Sequence, residues 1–162
     1  MKYRIATKND LEIIWNKNIN SHLNDDRWVR WKREYIEYNL KNQAVTFVVV
    51  DDEPVGEITM IISPECKAVK NKPLLADGKT IANMNAFRIE KSYEGKGHIS
   101  KLLKLAENYA RKSGIKELTI GVEATETSNI AKYLHWGFNE LVMSEIDEDE
   151  NSALILYYKK QL

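Results

Sequence analysis

Apolar residues recur along the chain at intervals that change, and each change marks an element. Tyr3 to Ala6 predicts a short strand. Asp10 is placed to cap a helix in which Leu11, Ile14 and Trp15 fall at helical spacing. A polar break over 18–26 follows, and Trp28, Trp31, Tyr35 and Tyr38 then predict a second helix. This aromatic stripe has two readings, core packing or the wall of a ligand pocket. Val45 to Val50 is β-branched and almost wholly apolar, Asp51 to Pro54 turns, and Val55 to Ile62 returns, which predicts a hairpin. The stretch 63–79 holds Pro64, Pro73 and Gly78 without periodicity and reads as a long loop, either a functional lid or a surface insertion.

Ile81 to Ile89 predicts another strand. Ile99, Leu102, Leu103, Ala106, Tyr109 and Ala110 then share one face of a helix over 100–113, which Gly114 ends as a left-handed C-cap. Leu118, Ile120, Val122 and Ala124 alternate with Thr119, Gly121 and Glu123, a half-buried strand over 117–124. Thr127 or Ser128 is expected to cap a short helix reaching Trp136. Segments 138–146 and 153–159 form a last hairpin, and its acidic connection, 147–152, predicts a solvated turn. The strand–helix–strand unit at 81–124 should be parallel with a right-handed crossover, and the hairpins antiparallel. The expected fold class is α/β in the α+β sense: a mixed, mostly antiparallel central sheet with helices on both faces.

Composition narrows the partners. A chain of 162 residues suits one domain over 1–162. Lys plus Arg and Asp plus Glu both number 24, so charge gives no case for nucleic acid. Cys66 is the sole cysteine, which excludes an intrachain disulfide. No apolar run resembles a signal peptide or approaches the ~20 residues that cross a bilayer. The expectation is a soluble, cytoplasmic protein with no membrane partner. His22, His98 and His135 have no metal-ligand spacing, so no metal is expected. His22, near Asp25 and Asp26, sits in the polar break, and His135, beside Trp136, reads as a packing residue.

The chemistry concentrates at Glu94-Gly95-Lys96-Gly97-His98-Ile99-Ser100, between a strand and a helix. Two glycines permit a tight turn and leave backbone N–H groups unobstructed. The helix behind adds unpaired N–H groups and the positive end of its dipole, together an anion site fit for a pyrophosphate. A structural strand-to-helix turn is the plain alternative. The phosphate loop G-x-x-x-x-G-K-S/T is absent, and a G-x-G-x-x-G fingerprint starting at Gly95 fails at Ser100.

Residues 89–103 resemble the acyl-CoA-binding segment of the GNAT family of N-acetyltransferases, whose pattern is Q/R-x-x-G-x-G/A within V-x-P-x-Y-R-G-x-G-I-G-x-x-L-L. Asn129 to Phe138 is similar to a second family segment, A-x-x-x-Y-x-x-x-G-F. The resemblance implies a splayed parallel strand pair opening a V between 81–89 and 117–124. Pantetheine of acetyl-CoA (coenzyme A as acyl donor) would lie there against Phe87, Arg88 and Ile89. The pyrophosphate would lie on Glu94, Gly95, Lys96, Gly97, His98, Ile99 and Ser100, with Asn129 also on the cofactor side. Glu94 stands where the family has Gln or Arg, Ile99 where it has a small residue, and Glu126 where many members have Asn. An acid beside pyrophosphate weakens binding unless its side chain points away.

The resemblance implies transfer of an acetyl group to a primary amine of a small molecule or peptide. That reaction needs a deprotonated nitrogen, a polarised carbonyl and a proton for the departing thiolate. Tyr133 matches the family tyrosine that protonates the sulfur; the alternative is a buried aromatic. Glu57 and Glu123 are the candidate bases. The acceptor is expected to enter from the 18–40 side, and exposed strand edges make a homodimer conceivable. The competing function is a non-catalytic acyl-CoA-binding or protein-interaction module of the same fold.

Overall fold

The computed structural model describes residues 1–162. The elements run β1 (Lys2–Ile5), α1 (Lys8–Asn20), α2 (Arg27–Leu40), β2 (Ala44–Asp51), β3 (Glu53–Ile61), β4 (Ile81–Ile89), α3 (His98–Lys112), β5 (Glu117–Glu123), α4 (Thr127–His135), β6 (Glu140–Asp147) and β7 (Ala153–Gln161). All strands join one sheet in the order β1-β2-β3-β4-β5-β7-β6. Every neighbouring pair is antiparallel except β4 and β5. No helix is long and apolar enough to cross a membrane.

Helix α1 begins one turn earlier than the apolar spacing suggests. Thr7, not Asp10, is the N-cap, and Asp10 closes a reciprocal capping box from the third helical position. The helix also runs on to Asn20, which shortens the polar break. Helix α4 starts at Thr127, so Thr127 and Ser128 lie inside it, and Glu126 precedes it without a side-chain cap. Gly114 takes the expected left-handed conformation, φ +84°.

Two cores flank the sheet. Alternation along the strands sends Phe47, Ile58, Met60, Met84, Leu118 and Ile120 to one face, against Leu102, Leu103, Ala106 and Ala110 of α3. On the other face Leu11, Ile14 and Trp15 of α1 pack with Tyr35, Ile36 and Tyr38 of α2. The 63–79 segment is neither a free lid nor a plain surface insertion. Val69, Leu75 and Ala76 are buried in this second core, and the Asp77 carboxylate accepts the backbone N–H groups of Lys79, Thr80 and Ile81.

One irregularity shapes the centre of the molecule. Strands β4 and β5 pair only from Ile81↔Glu117 to Met84↔Ile120 and then separate. Beside the separation β4 carries a bulge: Glu57↔Arg88 and Thr59↔Asn85 are out of register by one residue, and Ala86 has φ +54°. Beyond Met84 the β5-facing edge of β4 has no strand partner, and a V-shaped opening remains.

Candidate active site

Two sides of this V carry different chemistry. On the α3–α4 side a cavity of about 470 Å³ is lined by Phe87, Ile89, Tyr93, Glu94, Gly95, Gly97, His98, Ile99, Ser100, Asn129, Lys132, Tyr133 and Trp136. Gly97 precedes α3 at φ +78° and supplies no side-chain cap, which leaves the first helical N–H groups free. Backbone N–H groups from Gly95 through Ser100 find no acceptor on the protein. A Cβ built on Gly95 or Gly97 would meet nothing within 4 Å, so both face open space. Free N–H groups, a helix N-terminus and open space suit a pyrophosphate, and the residues present fit coenzyme A.

Most residues expected on the cofactor side are therefore together, with two exceptions. Lys96 turns back: its Nζ donates to Ser92 O at 2.9 Å and lies 5.4 Å from the Tyr93 ring centroid. Arg88 lies between Phe87 and Ile89, so strand alternation sends its side chain to the opposite face. His98 is buried on the first turn of α3, where its Nδ1 and Tyr3 Oη share a hydrogen bond of 2.7 Å and its Nε2 has no partner. Glu94 is exposed at the rim.

On the α1–α2 side two cavities meet at the bulge. The inner one, about 350 Å³, is lined by Glu123, Glu126, Asp147 and Glu150 with no lysine or arginine, alongside Asn83, Asn85, Phe87, Tyr133 and Tyr157. The outer one, about 410 Å³, lies among Trp15, Arg27, Trp31, Glu34, Tyr35, Lys70 and Arg88. Ala68, Asn85, Ala86, Asp147 and Glu150 line both. The acidic 147–152 connection is the largely exposed turn expected, and Asp147, Asp149 and Glu150 of it also form a cavity wall. Arg27 draws it in by donating to Asp149 O at 3.1 Å and pairing with Glu150 at 3.3 Å. The aromatic stripe does both expected jobs, because Tyr35 and Tyr38 are core while Trp31 and Tyr35 also face the cavity.

Tyr133 and Phe87 are the residues common to the cofactor-side cavity and the inner cavity. Their ring centroids lie 6.0 Å apart, and Trp136 stands 6.0 Å from each. Burial, with a smaller contribution from the Glu126 charge, pushes the Tyr133 phenol up to about 12. Glu123 ends β5 in the inner cavity with no cation partner. Glu57 differs from expectation: it is wholly buried and lines neither cavity, its Oε1 held by Arg88 Nε at 2.7 Å and Asn18 Nδ2 at 3.3 Å. Burial pushes this carboxyl up, and the Arg88 guanidinium opposes the push.

Of the histidines, His22 stacks on Trp28 at 4.0 Å, and His135 is exposed rather than packed. Lys132 and Trp136, and the wall formed by Asn85, Asp147, Glu150 and Tyr157, were not foreseen as site residues. Trp136 directly follows the quoted Tyr-x-x pattern and was in reach, whereas the others depend on the bulge and on distant turns.

The profile of the acetyltransferase (GNAT) family matches residues 11–138. The chain belongs to the GNAT acetyltransferase family. An uncharacterized N-acetyltransferase of Methanocaldococcus jannaschii is 26% identical over 145 residues, which cover 85% of this chain and 60% of that protein. The chain thus spans 60% of the length of that relative. Among solved structures, the ribosomal-protein-alanine N-acetyltransferase of Brucella melitensis superposes with a TM-score of 0.72 at 16% identity, covering 100% of both chains. The Salmonella typhimurium protein yncA, solved with its cofactor acetyl-CoA, gives 0.70 at 16% identity, covering 100% of this chain and 94% of that one. At such identities these two likenesses concern the fold.

Proposed function

We propose that this GNAT-family chain is an acetyl-CoA-dependent N-acetyltransferase that moves an acetyl group directly to a primary amine of a small molecule or peptide. The observation that carries the reading is the position of Tyr133, at the seam where the cofactor-side cavity meets the acidic inner cavity.

Acetyl-CoA, when bound, supplies the activated acetyl thioester. The backbone N–H groups of Gly95 to Ser100 hold its pyrophosphate, and the main chain of β4 at Phe87 and Ile89, on the edge that β5 has left, holds its pantetheine arm. Primary amines have pKa values near 10 and arrive as ammonium ions. The carboxylates of the inner cavity attract such a cation, and Glu123 takes its proton, directly or through water. Tyr133 keeps its proton at neutral pH because burial holds its phenol at about 12. It is the donor on hand for a leaving thiolate. Glu57, wholly buried and lining neither cavity, takes no proton in this scheme.

The test is free-thiol release from acetyl-CoA across a panel of amines, for the native chain and for Tyr133→Phe. Turnover that falls about 100-fold in the variant supports the reading. Tight acetyl-CoA binding with no thiol release on any amine would instead mark a binding module, the alternative that an acid at Glu94 favours.

A further inference from the structure

Arg88 is held more firmly than a surface arginine needs to be. Its guanidinium stacks 4.0 Å from the Trp15 ring centroid and lies 5.2 Å from that of Trp28. Glu57 Oε1 accepts from Nε at 2.7 Å and lies 2.6 Å from Nη2. Two aromatic faces and a carboxylate leave little rotamer freedom to lose when a ligand arrives.

The donors of this group are not used up. A guanidinium offers five N–H bonds, and only Nε makes a well-formed one here. Nη2 is buried without a well-directed acceptor, and the indole Nε1 of Trp15, a residue 1% exposed, has none at all. Both residues line the outer cavity. Trp15 Nε1 is thus a buried donor with no acceptor, Nη2 shares Glu57 Oε1 with Nε, and Nη1 makes no hydrogen bond at all; a buried donor left unpaired is costly and uncommon, so this wall points to a ligand that supplies oxygen.

We infer that Arg88 and Trp15 read an oxygen on the acceptor. The substrate is then an amine that also carries a carbonyl or carboxylate group, as an amino acid or a peptide N-terminus does, and not a hydrocarbon polyamine. This rests on the transferase reading above. The charge layout agrees with it. The inner cavity at Tyr133 has carboxylates and no cation, which suits the ammonium end. The outer cavity is mixed, with Arg27, Arg30, Lys67, Lys70 and Arg88 against Glu34, Asp147, Asp149 and Glu150; its cations, absent from the inner cavity, suit the oxygen end, and the two cavities share Asn85, Ala86, Asp147 and Glu150 among their walls. Every cation of the outer wall has a carboxylate partner, Arg27 with Glu150 at 3.3 Å, Lys70 with Asp147 at 3.1 Å, Arg30 and Lys67 with Glu34 at 3.8 and 3.6 Å; what sets Arg88 apart is its fixed guanidinium between two indoles.

The experiment compares kcat/KM for a dipeptide, a free amino acid, 1,4-diaminobutane and butylamine, with thiol release as the readout. The dipeptide or the amino acid should exceed the diamine by at least about tenfold, because a site built to bond an oxygen rejects an analogue lacking it. The ranking of dipeptide against free amino acid tells a carbonyl from a carboxylate. Glu57→Gln combined with Arg88→Gln removes the charge pair without stranding a buried ion. It should erase most of that preference while acetyl-CoA affinity by calorimetry stays within about twofold. Should the double variant fail to fold, Arg88→Lys, which keeps the charge and loses the fork, gives the same readout. A native preference for the diamine, or an equal loss on all acceptors in the variants, overturns the inference alone. Absence of thiol release with every amine, despite acetyl-CoA binding, overturns the transferase reading and this inference together.

Discussion

Glu57 and Arg88 stand opposite each other in the β3–β4 ladder, with Arg88 Nε 2.7 Å from Glu57 Oε1. The carboxylate is wholly buried, and the arginine keeps a fifth of its side chain exposed toward the cavities. Removing one partner from such a pair strands a charge in a low-dielectric interior. Glu57→Ala should therefore cost about 3–5 kcal/mol in urea unfolding. The neutral pair made by Glu57→Gln with Arg88→Gln should recover most of that loss. An alanine variant with native stability would show that water reaches the guanidinium.

Tyr133→Phe keeps the ring against Phe87 and Trp136 and removes only the hydroxyl. Its melting temperature and acetyl-CoA affinity should match the native chain, while kcat falls by about 100-fold. The phenol, raised to about 12 in the fold, acts as a proton donor while it is protonated. The native kcat profile should accordingly show no alkaline fall attributable to this residue below about pH 11. The same shift stabilises the fold fully below the ordinary tyrosine value of about 10 and is lost as pH rises through about 12. A kcat unchanged by the substitution, with chemistry limiting the rate, would make Tyr133 a packing residue.

Gly97 has φ +78°, a conformation that costs an L side chain about 1–2 kcal/mol, and faces the open cradle. Gly97→Val should lower stability by about that much and weaken coenzyme A binding by well over tenfold, since the branched side chain fills the anion space. Calorimetric titration on the folded variant decides the point. Undiminished affinity would remove the pyrophosphate from this loop.

Asp10 anchors the start of α1 through Arg4 Nη2 at 3.0 Å and the Thr7 backbone N–H at 2.7 Å. Burial pushes its carboxyl up, but the bonds from Arg4 and Thr7 outweigh it and hold the carboxyl below its ordinary value. A depressed folded value means stability that is present above the unfolded pKa of about 3.9 and is lost as pH falls through the folded one. Asp10→Asn should cost about 1 kcal/mol at pH 7 and flatten the acid side of the stability profile below about pH 4. Parallel acid limbs in native and variant chains would refute the assignment.

Gly121 lets the Tyr157 ring lie across β5: a Cβ there would sit 2.8 Å from Tyr157 Cε1. Gly121→Ala should displace the ring into the inner cavity and cost about 1–3 kcal/mol. Acceptor KM should rise with little change in acetyl-CoA affinity, as steady-state kinetics in both substrates would register. An unaltered acceptor KM would place the acceptor away from Tyr157.

The elements and the glycine turn proposed to hold pyrophosphate were legible in the sequence, because both are local. Helix and strand periods are written in consecutive residues, and the Gly95–Gly97 turn before α3 needs only its own backbone to present free N–H groups. The same locality made Tyr133 legible, four residues before Gly137. Relations across strands emerged only in the folded chain. The bulge at Ala86 has no residue signature, yet it pairs Arg88 with Glu57. Strand alternation about it sent the Arg88 side chain, expected on the cofactor side, to the face of Trp15 and Trp28. Glu57, a candidate base in the sequence, was closed off in the same step, while Glu123 at the end of β5 was left in the open V. The acidic turn at 147–152 became a cavity wall because Arg27, far away in sequence, reaches across to bind it. Charges and hydrogen bonds between distant segments act through space, and no spacing along the chain records them.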